Sequence, residues 1–139
     1  MGRKNSPSAN KELNELIAQY ETARAENRQL YLDGDQLADI ADQYAAGRKF
    51  NEAQEVITYG LHLHPDSTDL LVEQAYLYLD TGKIPLAKKV VESITDEYDT
   101  DVKMLKAELM LNEGQLENAR NVLDTIEDAD ERSSASSIE

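Results

Sequence analysis

The residue types that most often carry chemistry are scarce here. The 139-residue chain has two imidazoles, His62 and His64, and no Cys. On a helix, side chains at i and i+2 diverge by about 200°, so these two rings cannot converge on one tetrahedral metal ion. Their place just before Pro65 predicts a helix C-terminus, where an imidazole suits the partial negative charge of the dipole. Without Cys there is no disulfide framework, thiolate metal site or Cys nucleophile. Asp96, Asp99 and Asp101 crowd around Tyr98. A calcium loop needs alternating ligands, a central Gly and a distal bidentate Glu, and that order is missing. These acids are expected to cap the following helix, as Asp33 and Asp35 are expected to form a turn and an N-cap. Serines cluster at 133–137 with no base in local register, and the glycines are scattered, so no phosphate-cradling loop is present. The expectation is a protein that is not an enzyme and holds no cofactor or metal.

Composition narrows the alternatives. Hydrophobic residues are 40% and charged residues 30%, which suits a folded domain long enough to bury a core. A cysteine-free chain of this size points to a reducing, cytoplasmic setting. Its longest uninterrupted apolar stretch, Ala75–Leu79, is far short of a membrane span. The basic start is followed by no apolar run, so neither a secretory leader nor a membrane role is expected. Met1-Gly2 with Ser6 fits the permissive myristoylation pattern and nothing more specific. The net charge is −14. It is uneven: residues 1–67 carry eleven acids and seven bases, and residues 68–131 carry sixteen and six. Such a surface repels phosphate backbones, which argues against nucleic acid as a partner. It suits a basic partner.

Internal repetition shows which elements position these charges. Ala53, Ala87 and Ala119 recur at intervals of 34 and 32 residues. Three residues before each stands a bulky apolar side chain, Phe50, Ile84 or Leu116, and four residues after each come Ile57, Val91 and Leu123. Gly82 and Gly114 lie five residues before their alanines, whereas Gly47 lies six before Ala53. Earlier in each unit Ala41, Ala75 and Ala107 are followed at three residues by Tyr44, Tyr78 and Met110. The pattern describes a helix, a turn using Gly at a positive φ, and a second helix, with small residues where the two approach. Pro65 must end one helix, and Pro85 suits the first turn of another.

On these residues the chain resembles the tetratricopeptide repeat family, whose unit is a helix–turn–helix of about 34 residues. The match is close over 34–67 through Leu37, Ile40, Ala41, Tyr44, Phe50, Ala53, Ile57, Leu61 and Pro65. It continues over 68–99 through Leu71, Ala75, Tyr78, Gly82, Ala87, Val91 and Ile94, with Gln74 in an apolar place. The third unit departs more, with Lys103 and Lys106 in positions that the family usually fills with apolar residues. No unit has the family's frequent Trp. The resemblance implies an all-α fold, a right-handed superhelical stack of helix hairpins. Its parts are a disordered 1–8, an N-terminal capping helix at 9–32, repeats at 33–67, 68–99 and 100–131, and a disordered tail at 132–139. The capping helix is drawn from Leu13, Leu16, Ile17, Tyr20, Ala23 and Leu30 at three-four spacing. It covers one end of the stack, since bare solenoid ends are poorly soluble.

In this family the first helices of the hairpins line a concave groove that takes a peptide. Carried onto this sequence, the lining is Asp35, Ala38, Asp42 and Ala45, then Asp69, Val72, Tyr76, Leu79 and Asp80, then Asp101, Met104, Glu108 and Leu111. Members that clamp acidic chaperone tails use Lys, Arg and Asn there. The corresponding places here hold Ala38, Asp42, Glu73, Asp101 and Leu105, which would repel a carboxylate and offer it no donor fork. The resemblance therefore implies a protein-interaction scaffold holding a basic or amphipathic segment in an acidic, partly apolar groove. The alternative is a structural one, a self-associating piece of a longer repeat array. For the C-terminal end, Leu116, Ala119, Leu123 and Ile126 are expected to pack on the partner helix. Residues around Val122 and Leu109 are then left to meet a second copy in a weak homodimer.

Overall fold

A computed structural model describes residues 7–126, and the expectations for 1–6 and 132–139 fall outside them. Among the described residues all regular structure is helical. The helices are α1 (Pro7–Ala25), α2 (Gly34–Ala46), α3 (Phe50–Leu63), α4 (Thr68–Asp80), α5 (Ile84–Ser93), α6 (Thr100–Asn112) and α7, helical over 116–126. The chain divides into two compact units, Met1–Leu70 and Leu71–Glu139.

In the first unit α2 and α3 form a tight antiparallel hairpin, and α1 lies against α2. Leu37, Ile40 and Ala41 of α2 and Ala53, Val56 and Ile57 of α3 are at most 1% exposed, the three-four spacing expected of one apolar face on each helix. Asp33 opens α2 as its N-cap, and its N–H donates to Gln36 Oε1 at 2.9 Å, half of a capping box. At the other end α3 stops at Leu63, and His64 N–H donates to the Gly60 carbonyl as the last helical bond before Pro65.

Gly60, deep in α3, lets Leu70 at the start of α4 approach the helix closely. A Cβ built there would stand 2.8 Å from Leu70 Cδ1 and 3.4 Å from Leu37 Cδ1. Both leucines are fully buried.

Two helix ends differ from the sequence reading. The N-terminal helix does not run over 9–32. It begins at Pro7 and ends at Ala25, because Asn27 adopts a φ of 59°. Arg28 N–H then donates to the Ala23 carbonyl and Asn27 N–H to that of Arg24, the paired bonds of a Schellman turn. Leu30 consequently lies outside the helix. At the end of α2 the left-handed residue is Arg48, φ 61°, and not Gly47, whose φ is −85°. Lys49 N–H donates to Tyr44 O. The matching bonds are Lys83 to Tyr78 and Gln115 to Met110, with Gly82 and Gly114 left-handed. Arg48, Gly82 and Gly114 thus stand five residues before their alanines, and the one-residue discrepancy of Gly47 disappears.

In the second unit the core consists of Val72, Ala75, Ala87, Val91, Ile94, Val102, Leu105 and Leu109, with Tyr76, Tyr78, Leu79 and Ile84 packed against it. Full burial of a side chain such as Leu105 contributes roughly 1.5–3 kcal/mol. Pro85 sits in the first turn of α5. Asp99 caps α6, its carboxylate accepting from Val102 N–H at 3.2 Å, while Asp96 accepts from Tyr98 N–H. Only Asp99 caps α6 as the spacing suggested; Asp96 serves the loop itself, and Asp101 lies in the first turn of the helix. Lys103 and Lys106 are only half-buried, and Lys88 bonds Glu113 at 2.7 Å.

The C-terminal seam is corrected. Ala119 is buried, but Leu116 is 66% exposed and Leu123 38%, so the expected stripe does not pack on a partner helix as a whole. Leu109, expected to meet a second chain, is already enclosed in the core of this unit.

Candidate protein-binding surfaces

Tyr76 is the centre of the better-defined surface. It projects from α4, half-buried, and rests on the second unit's core. Burial raises its phenol well above the ordinary value, and the negative charges of Glu108, Asp101, Glu73 and Asp80 push it further the same way. Helix α6 supplies Asp101 and Glu108 at helical spacing with Met104 and Leu111, so the four share one face. All four are exposed. Glu108 feels the crowding too. Its carboxyl is raised first by burial and then by Asp80, both of which disfavour the ionised form. The result is an aromatic and aliphatic patch with a surplus of negative charge, suited to a group that brings positive charge.

The other sequence-predicted residues divide by burial. Ala38 and Val72 are buried and offer a partner no surface, which corrects their assignment to the lining. Val72 instead belongs to the core of the second unit. In the first unit Asp35 is exposed, and Asp42, Ala45 and Asp69 are half-buried. Asp35 and Asp69 line one open cleft with His64 and Asp66, where the starts of α2 and α4 face each other. In the second unit Leu79 is half-buried and Asp80 exposed.

Glu73, named in the sequence only as a place that would repel a carboxylate, is buried and adds to the field on Tyr76. Its place three residues before Tyr76 on the same helix was the available signal. His64 was read as a helix-end residue, which it is, but its ring also does specific work. Its Nε2 lies 2.7 Å from the Leu32 carbonyl and its edge meets Tyr31, so it holds the segment between α1 and α2.

Among the described residues no three His, Asp or Glu side chains are grouped to hold a metal ion. No helix among them is long and apolar enough to cross a membrane.

No curated protein and no solved structure matches the chain. A family model described as the tetratricopeptide repeat matches residues 44–109, a span that runs from the end of α2 through most of α6. Within it lie the hairpin turns at Arg48 and Gly82 and the buried Ala53 and Ala87. Over residues 44–109, a little under half of its length, the chain is thus similar to the tetratricopeptide repeat, the unit of a class of protein-interaction scaffolds.

Proposed function

We propose that the chain is a non-catalytic interaction module whose second unit takes a basic or amphipathic protein segment. The contact residues are Tyr76, Leu79 and Asp80 of α4 and Asp101, Met104, Glu108 and Leu111 of α6. In the first unit Asp35, Asp42, Ala45 and Asp69 offer a further acidic surface. The observation that carries the reading is the crowding of Glu108 with Asp80 around Tyr76. A Lys or Arg brought there relieves like-charge repulsion that the free protein must bear, while the segment's apolar side chains cover Met104 and Leu111.

The experiment is affinity capture at low and high salt, followed by titration of the captured segment against Asp42→Lys/Glu108→Lys. Reversing two partly screened charges is expected to weaken binding about tenfold, and added salt should weaken the unaltered protein's binding as well. A partner indifferent to both charge reversals and to salt does not bind where proposed.

A second reading has its own observation. Leu111, Leu116 and Leu123 are exposed on α6 and α7, and apolar side chains at the end of a repeat stack favour self-association. In that reading the chain is a self-associating segment of a repeat array.

A further inference from the structure

In the first unit a cleft of about 680 Å³ opens between the C-terminal half of α1, the turn that follows it and α3. Its walls include Tyr20, Arg24, Arg28, Leu30, Glu55 and Tyr59. Here the charge pattern differs from that around Tyr76, since two arginines line one cleft of a strongly acidic chain, each paired with a glutamate. We propose that this cleft is a docking site for an acidic peptide segment.

Both arginines already hold carboxylates. Arg24 Nη2 lies 3.5 Å from Glu55 Oε2, and Arg28 Nε lies 2.6 Å from Glu26 Oε1. All four side chains are about half exposed or more, and exposed pairs of this kind contribute little to stability. The intrinsic glutamates therefore show the chemistry the arginines accept, and they exchange readily for an incoming carboxylate. Each guanidinium has five donors in a planar fork, more than one glutamate oxygen occupies. The two arginines bind separate carboxylates, which favours a segment with two acidic side chains over one small dianion.

Tyr20 supplies the second observation. It is 5% exposed and its hydroxyl has no hydrogen-bond partner among the described residues. A buried hydroxyl left without an acceptor is costly and calls for a reason. The Arg24 guanidinium lies 6.0 Å from the Tyr20 ring centre, so a carboxylate that displaces Glu55 from Arg24 arrives beside the residue that lacks an acceptor. The rest of the wall is held in place. Tyr59 OH donates to the Leu30 carbonyl at 2.8 Å, and the turn at Asn27 fixes the backbone of Arg28. Leu30 and the Tyr59 ring give the body of a peptide an apolar surface between its acids.

The test is calorimetric titration of the full chain with an acetylated peptide alternating Glu and Leu, with the same peptide carrying Lys for Glu, and with inorganic phosphate. The acidic peptide should bind, and Arg24→Gln/Arg28→Gln should weaken it at least about fivefold. Glu55→Gln, which removes the intrinsic competitor, should tighten it about twofold or more. Tyr20→Phe should weaken it without lowering the melting temperature. An acidic peptide that does not bind would overturn the proposal, as would an unchanged affinity in the double arginine variant or weaker binding in Glu55→Gln. Phosphate binding as tightly as the peptide would assign the cleft to a small anion instead.

Discussion

Introducing a methyl group at Gly60 sets two magnitudes of opposite sign against each other. In a helix interior Gly→Ala is favourable by about 1 kcal/mol through backbone entropy and propensity. The added Cβ would lie 2.8 and 3.1 Å from the two δ-carbons of Leu70 and 3.4 Å from Leu37 Cδ1. Real carbon pairs settle near 3.5–4.0 Å, so Leu70 must move by more than half an ångström. Both leucines are 0% exposed, so any shift must be taken up within the packed interior. Overpacking of this kind costs about 1–3 kcal/mol, leaving Gly60→Ala destabilising by roughly 0–2 kcal/mol.

The sharper measurement is a double-mutant cycle with Leu70→Ala. That change alone should cost about 2–5 kcal/mol through the cavity it leaves. In its background the methyl at position 60 no longer meets Leu70, only Leu37 Cδ1 at 3.4 Å remains, and Gly60→Ala should become stabilising by up to about 1 kcal/mol. The coupling of about 1–3 kcal/mol is within reach of urea unfolding followed by circular dichroism. Additive effects, or a Gly60→Ala protein that is already more stable by the full propensity term, would refute the close approach of α3 to Leu70.

Gly82 offers a cleaner backbone test, because a Cβ there would meet nothing within 4 Å while φ is 77°. Gly82→Ala should cost about 1 kcal/mol in chemical denaturation and Gly82→Asn distinctly less, since Asn tolerates the left-handed region; equal costs would mean that something other than dihedral strain is at stake. Glu108 has a folded-state carboxyl raised by burial and by Asp80, so folding takes up a proton in that range and the charged form weakens the fold at neutral pH. Thermal melting should accordingly show Glu108→Gln more stable than the parent at pH 7, with the gain shrinking as pH falls through the carboxylate range. A gain that persists undiminished in acid would sink that account. For the exposed leucines of α6 and α7, sedimentation at high protein concentration should show a weak dimer that strengthens with moderate salt as acid repulsion is screened, and that Leu116→Glu abolishes; a monomer throughout would remove the self-association reading.

What the sequence alone settles here is local chemistry repeated at a fixed interval. Ala53, Ala87 and Ala119 mark the same buried place in successive hairpins, because only a small side chain fits where two helices approach and the chain states that requirement three times. Pro65 and Pro85 fix helix boundaries through the missing N–H and the fixed φ. The capping roles of Asp33 and Asp99 depend on residues three positions away, so they too can be read without knowing the fold. For the acidic surroundings of Tyr76, spacing placed Glu73 and Asp80 about one helical turn from it on α4, whereas the approach of Asp101 and Glu108 depends on how α6 packs.

What the tertiary structure decided is which neighbour each face meets. Ala38 and Val72 have the same spacing as exposed positions, and only packing buries them. Gly60 looks like a helix flaw until Leu37 and Leu70 are placed against it. The left-handed residue after α2 falls on Arg48 instead of the adjacent Gly47, since the bonds from Arg48 and Lys49 back to Ala45 and Tyr44 fix where the helix stops, and that outweighs the intrinsic preference of glycine. Leu30 left the helix once Asn27 completed its own Schellman turn, and its carbonyl then became the acceptor for Tyr59. Gly60 and the buried Ala38 and Val72 thus answer to contacts that exist only once distant segments are brought together, whereas the turns at Asn27 and Arg48 are fixed by backbone bonds three to five residues long.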